Sequence, residues 1–174
     1  VIRLLLGGSK SGKSALGERL LLAGPPPRRV VATGRALDFT FRERIEAHKR
    51  ARPATVVVIE AGAEAMTQLI REAAQGGTVL LDSLDFWLFA YHSTGKVASD
   101  LTELTQGLAP YAAPEGPELI VVSTEVGLGP IAADAATRRF VDALGACHQA
   151  VAAAAHDVRL VLAGLTVPLK GNAS

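Results

Sequence analysis

The chain is poor in the residues that build covalent or metal-clipped scaffolds. One of its 174 residues is cysteine, Cys147, so no internal disulfide, zinc cluster or redox pair is expected, and a reducing cytoplasm fits best. Cys147 itself reads as a small buried hydrophobe on a long helix. Charge of a single sign is missing too: 18 Lys plus Arg against 17 Asp plus Glu leaves a formal charge of +1, with no block of like charges. That balance removes the electrostatic reason to expect a nucleic acid or an anionic membrane as partner. No apolar run approaches the roughly 20 residues a membrane span requires. No charged leader precedes an apolar segment, so no signal peptide is expected. Asparagine occurs once, at Asn172, which leaves no Asn-Lys-x-Asp signature and argues against a Ras-like guanine switch. His92 and His156 read as helix-end residues without metal-ligand spacing.

What is present is an apolar fraction of 49%, enough for one core, and a regular alternation of elements. Short aliphatic runs recur at 2–6, 30–33, 56–59, 79–81, 119–123 and 158–163. Continuous rather than alternating apolar character marks strands covered by helices on both faces, as in a parallel sheet. Between them, 13–23, 63–75 and 135–156 read as helices, while 93–99 and 109–117 read as surface connections. The expected fold is α/β of the P-loop NTPase type, a mostly parallel central sheet flanked by helices, in a single domain spanning 1–174.

The first run leads directly into Gly7-Gly8-Ser9-Lys10-Ser11-Gly12-Lys13-Ser14, a full G-x-x-x-x-G-K-[ST] match in strand–loop–helix context. Glycines let the backbone N–H groups converge on phosphate oxygens at the positive end of a helix. Lys13 is expected to reach the β- and γ-phosphates, and the Ser14 hydroxyl to ligate Mg²⁺. Asp82 closes the apolar run of 78–82, which in a parallel sheet puts it on the loop's edge as a metal or nucleotide ligand; a helix N-cap role is the alternative.

A helix is expected from about Asp38, with Thr40 and Glu43 spaced as a capping box and Arg52-Pro53 as its stop. Phe41, Ile45 and His48 fall on one face, so His48 faces protein or ligand. A structural role and a catalytic one are both open to such a histidine. Neighbouring Lys49, Arg50 and Arg52 could neutralise a polyphosphate while a mostly neutral imidazole attacks phosphorus, a solvated helix end being the alternative for such a run.

With these residues in view the sequence resembles the bifunctional adenosylcobinamide kinase/adenosylcobinamide-phosphate guanylyltransferase family. The ordered marks, besides the phosphate loop, are Ala32-Thr33, the run from His48 to Pro53, Glu60, Leu81-Asp82-Ser83-Leu84 with Trp87-Leu88, Glu125-Val126-Gly127-Leu128-Gly129, Gln149 and Ala163-Gly164-Leu165. The resemblance implies that His48 takes GMP from GTP as a phosphoramidate and passes it to adenosylcobinamide phosphate. It implies nucleotide contacts from Gly7 to Ser14, from Ala32, Thr33 and Gly34, from Lys49, Arg50, Ala51 and Arg52, and from Glu60 and Asp82. For the kinase step it implies that ATP or GTP, with Mg²⁺ on Ser14 and Asp82, phosphorylates adenosylcobinamide; a homotrimer is implied as well. The chain departs from the family pattern at Thr124 and His148, where Asn is usual, and at Pro130. The role of Glu125 is open between base, substrate contact and loop cap. Two other readings stand beside this one: a P-loop small-molecule kinase with a structural His48, and a GTP-binding regulatory module that transfers nothing.

Overall fold

The computed structural model describes residues 1–34, 53–95 and 99–171. Six parallel strands and one antiparallel strand form a single sheet. They are β1 (Ile2–Gly7), β2 (Arg28–Ala32), β3 (Val56–Glu60), β4 (Thr78–Asp82), β5 (Glu118–Thr124), β6 (Asp157–Leu162) and β7 (Leu165–Lys170), in the order β3-β2-β4-β5-β1-β6-β7. The helices are α1 (Lys13–Ala23), α2 (Ala65–Ala73), α3 (Leu84–His92), α4 (Asp100–Ala112) and α5 (Ala135–Ala154), with a one-turn 3-10 segment at Gly62–Glu64.

Period-two alternation divides the apolar residues between the two faces of the sheet. Ile2, Leu4, Val79, Leu81, Leu119 and Val121 pack on one side against α2 to α5, through Met66, Leu69, Trp87, Tyr111, Leu144 and Val151. Leu5, Leu80, Ile120 and Val122 face the other side, against Leu16 and Leu21 of α1. Central strands are thus buried on both faces, which explains their unbroken apolar runs. Trp87, fully buried, also satisfies its indole N–H on the Ala63 carbonyl at 3.2 Å, and the Tyr111 hydroxyl donates to the Leu69 carbonyl at 2.9 Å.

Three local expectations need correction. Strand β3 is not covered on both faces: as the outermost strand it leaves Val57 57% exposed. The stretch expected as a connection at 109–117 is partly helical, because α4 continues through Pro110 to Ala112. Pro110 removes one backbone N–H from the last turn, and burial of Tyr111 holds that turn to the core. Strand β7 is an element the reading of the sequence lacks. Ala163 (φ 50°) and Gly164 (φ 80°) both take the left-handed region, the geometry of a two-residue hairpin turn, and Leu165–Lys170 returns antiparallel to β6. Pro168 is compatible with this because β7 is an edge.

Leu4 lies wholly buried at the centre of the main core, so Leu4→Ala should lower unfolding free energy by about 2–5 kcal/mol. Urea denaturation followed by fluorescence of the single tryptophan, Trp87, measures it; a loss below about 1 kcal/mol would mean that this core is not close-packed.

Candidate functional site: a phosphate loop at the carboxyl edge of the sheet

Parallel pairing brings the strand C-termini to one edge, and β5 lies there between β1, which carries the loop, and β4, which carries Asp82. The loop of residues 7–14 leaves β1 at Gly7 and enters α1 at Lys13. Lys10 (φ 57°) and Gly12 (φ 98°) are left-handed, a backbone form that turns successive N–H groups inward as an anion nest. A Cβ at Gly12 would also meet the Cα of Gly164 at 3.2 Å, because the β6–β7 turn packs on the loop and the Gly164 N–H donates to the Ser11 carbonyl at 2.8 Å. The unread hairpin therefore braces the loop. Ser9 and Lys10 are exposed, Gly8 and Ser14 half-buried. Ser11 is buried, and its hydroxyl has no hydrogen-bond partner among the described residues, an orphaned donor beside the nest.

Lys13 is 8% exposed, and its ammonium donates to the Gly8 carbonyl at 3.0 Å. Burial pushes its pKa below the ordinary lysine value; the Asp85 and Asp82 carboxylates oppose that shift. Both acids therefore lie in the field of the loop lysine. Asp82 ends β4 in register with Ala32 of β2, which in turn pairs with Glu60 of β3. Thr33 locks the neighbouring strand end: its N–H donates to the Asp82 carbonyl at 3.1 Å, its hydroxyl donates to the Ser83 carbonyl at 2.7 Å and accepts the Ser83 N–H at 2.8 Å. Ala32, Thr33, Gly34, Glu60 and Asp82 thus share one edge. His48, Lys49, Arg50, Ala51 and Arg52 lie outside the described residues; the described chain stops at Gly34, on that edge, and resumes at Pro53.

Asp85, which the sequence pattern did not single out, lies beside this edge as well. Its Oδ1 accepts the Thr124 N–H at 3.2 Å, tying the first turn of α3 to the end of β5. A second group missed there is built on α5. His148, 7% exposed, has Nε2 2.8 Å from the Ser123 hydroxyl and Nδ1 3.3 Å from Glu125 Oε2. Burial lowers its pKa, against opposing pulls from Glu125 and Asp85. The departures at Thr124 and His148 were the visible signal, but only folding joins them to the loop.

Oxygen donors of a serine hydroxyl and one or two carboxylates fit Mg²⁺, which is usually held by few protein ligands together with substrate phosphates. Among the described residues no three His, Cys, Asp or Glu side chains gather into an all-protein metal cage. Among the described residues, too, no helix is long and apolar enough to cross a membrane.

Comparisons with known proteins agree with this arrangement. The chain is 35% identical over 172 residues to the bifunctional adenosylcobalamin biosynthesis protein CobP of Pseudomonas aeruginosa, covering 97% of both. It is 28% identical over 182 residues to the bifunctional adenosylcobalamin biosynthesis protein CobU of Salmonella typhimurium, covering 96% of this chain and 98% of that one. Among solved structures, the flagellar accessory protein FlaH of Methanocaldococcus jannaschii superposes with a TM-score of 0.56 at 12% identity, over 98% of this chain and 78% of that one. The RadB recombinase gives 0.52 at 15% identity, over 92% and 73%, so these two share the fold alone. The family model for cobinamide kinase/cobinamide phosphate guanyltransferase matches residues 3–169, from the first strand through nearly all of the last, and the chain belongs to that family of enzymes.

Proposed function

We propose that this single domain, residues 1–174, carries out both transfers for which its family is named: phosphorylation of adenosylcobinamide by ATP or GTP, then transfer of GMP from GTP to adenosylcobinamide phosphate, within adenosylcobalamin synthesis. The observation that carries this reading is the complete phosphate loop whose buried Lys13 lies in the field of both Asp82 and Asp85, in a chain matched to the family over residues 3–169. Lys13 and the loop N–H groups bind the β- and γ-phosphates and hold the nucleotide in line with the acceptor, so catalysis is mostly positioning and electrostatics. Ser14 and Asp82 are the residues that would hold Mg²⁺, which when bound supplies countercharge to the phosphates. Ala32, Thr33, Gly34 and Glu60 form the neighbouring wall for the nucleotide.

In the guanylyl transfer, an imidazole nitrogen of His48 attacks the α-phosphorus of GTP, a P–N bond forms, and pyrophosphate leaves. The phosphate oxygen of adenosylcobinamide phosphate then attacks the same phosphorus and frees His48. Lys49, Arg50 and Arg52 neutralise the polyphosphate, with Ala51 among the contacts. Support for these roles is the sequence pattern from His48 to Pro53. The cytoplasm is the compartment that fits, and a homotrimer the assembly; the exposed apolar side chains Leu165, Val167 and Leu169 on the β7 edge support burial against a second copy.

Three measurements bear on this reading. Incubation with GTP and Mg²⁺ should leave one guanylyl group per chain by intact mass, lost on brief acid treatment and absent from His48→Ala; a persistent adduct in that variant would move the nucleophile elsewhere. Lys13→Ala should lower kcat/KM for both transfers by about 100-fold or more, and equal activity would remove the loop from the chemistry. Light scattering should give three times the 18.1 kDa chain mass, and a monomer at micromolar concentration would contradict the trimer.

A further inference from the structure

Beyond the phosphate loop, a buried polar chain joins Ser123 on β5, His148 on α5 and Glu125 just past β5. The order of groups looks like a nucleophilic triad, but Ser123 is fully buried inside a strand and no acceptor can reach its hydroxyl. The chain makes sense only when read from the other end. Glu125 is the member open to solute, at 22% side-chain exposure against 9% for His148.

Hydrogen-bond accounting fixes the direction of the chain. A carboxylate only accepts, so the imidazole hydrogen lies on Nδ1, facing Glu125 Oε2 at 3.3 Å. Burial favours the neutral ring, and in that tautomer Nε2 accepts from the Ser123 hydroxyl at 2.8 Å. Glu125 Oε1 accepts the Gly127 N–H at 2.7 Å. Both carboxylate oxygens are thus oriented by fixed donors, and each retains a second lone pair for a visiting group. The backbone places this carboxylate beside the chemistry: Gly7 pairs with Thr124, and the Glu125 N–H donates to the Gly7 carbonyl at 3.1 Å, so Glu125 starts where the phosphate loop starts. Because β5 runs between β1 and β4, its end projects between the loop and Asp82. Directly after Glu125, Val126, Leu128 and Ile131 are 40%, 80% and 88% exposed, an apolar lip suited to a large macrocyclic acceptor.

We propose that Glu125 is the catalytic residue that takes the proton from the acceptor hydroxyl during phosphoryl transfer, and that His148, backed by Ser123, is the positioning residue that aims it. This rests on the reading that the chain phosphorylates the hydroxyl of a cobinamide. The hydroxyl oxygen forms a bond to the γ-phosphorus as the bond from that phosphorus to the β,γ-bridging oxygen breaks. The bond pair leaves with the nucleoside diphosphate, and the hydroxyl proton passes to Glu125 and from it to water. An Asn amide at position 148 would offer one N–H toward Glu125 and one oxygen toward Ser123, the same two hydrogen bonds that the imidazole makes.

The test is steady-state kinetics with adenosylcobinamide and ATP or GTP on the full chain, with thermal melts as a folding check. Glu125→Gln, at a partly exposed position and isosteric, should lower kcat for phosphoryl transfer by about 100-fold or more while the nucleotide KM stays within about threefold. His148→Phe should lower kcat about tenfold, and His148→Asn should restore it to within about twofold. Should His148→Phe unfold, Ser123→Ala gives the same readout with no added bulk, a kcat loss of about threefold at unchanged nucleotide KM. Wild-type kcat in Glu125→Gln, or equal kcat in the His148→Phe and His148→Asn proteins, would overturn the inference and leave the proposed function standing. Wild-type protein that accepts GMP from GTP but phosphorylates no cobinamide would overturn the kinase half of the proposed function, and this inference with it.

Discussion

Everything at the carboxyl edge depends on holding the Lys13 ammonium almost out of water. Desolvating an ammonium is expensive, and burial accordingly pulls its pKa down. The site tolerates it because the Gly8 carbonyl accepts one of its protons at 3.0 Å and because Asp85 and Asp82 supply opposing charge. The same balance suits Lys13 to the role proposed for it. A cation in a poorly solvated pocket interacts with a polyphosphate far more strongly than it would in water.

That balance is delivered by topology. Inserting β5 between β1 and β4 spaces the loop from Asp82 by one strand and fills the gap with the end of β5, where Thr124 is tied to Asp85 and Glu125 to Gly7. The loop's other flank is closed by the β6–β7 turn through the Gly164 to Ser11 bond. Two pieces of chain distant in sequence therefore hold a loop of eight residues, and the fold's stability and the geometry of the site are expressions of one packing arrangement.

The core of this arrangement was legible in the sequence because central parallel strands advertise themselves by unbroken apolar runs. All six strands so inferred are present, with α1 over the inferred 13–23, and Asp82 sits at a strand end on the loop's edge. Strand β7 and the end of α4 were harder to read. Strand β7 alternates Leu165, Val167 and Leu169 with polar residues and Pro168, and its turn uses Ala163 rather than the Asn or Asp that usually announces a two-residue hairpin. Helix α4 overruns an apparent breaker because the burial of Tyr111 outweighs one missing N–H at its end. Contacts that span the fold were not legible at all: Asp85 with Thr124, and His148 with Ser123 and Glu125, are separated by 39, 25 and 23 residues, and no local pattern encodes them.

The central claim is that this edge binds the triphosphate through the loop and presents its α-phosphorus to His48. A crystal structure of the chain with a non-hydrolysable GTP analogue and Mg²⁺ tests it most directly. The account predicts the β- and γ-phosphates inside the loop of residues 7–14, the Lys13 ammonium on a phosphate oxygen instead of the Gly8 carbonyl, and an imidazole nitrogen of His48 within reach of the α-phosphorus. A nucleotide seated away from the loop, or a His48 remote from it in every subunit, would contradict the account.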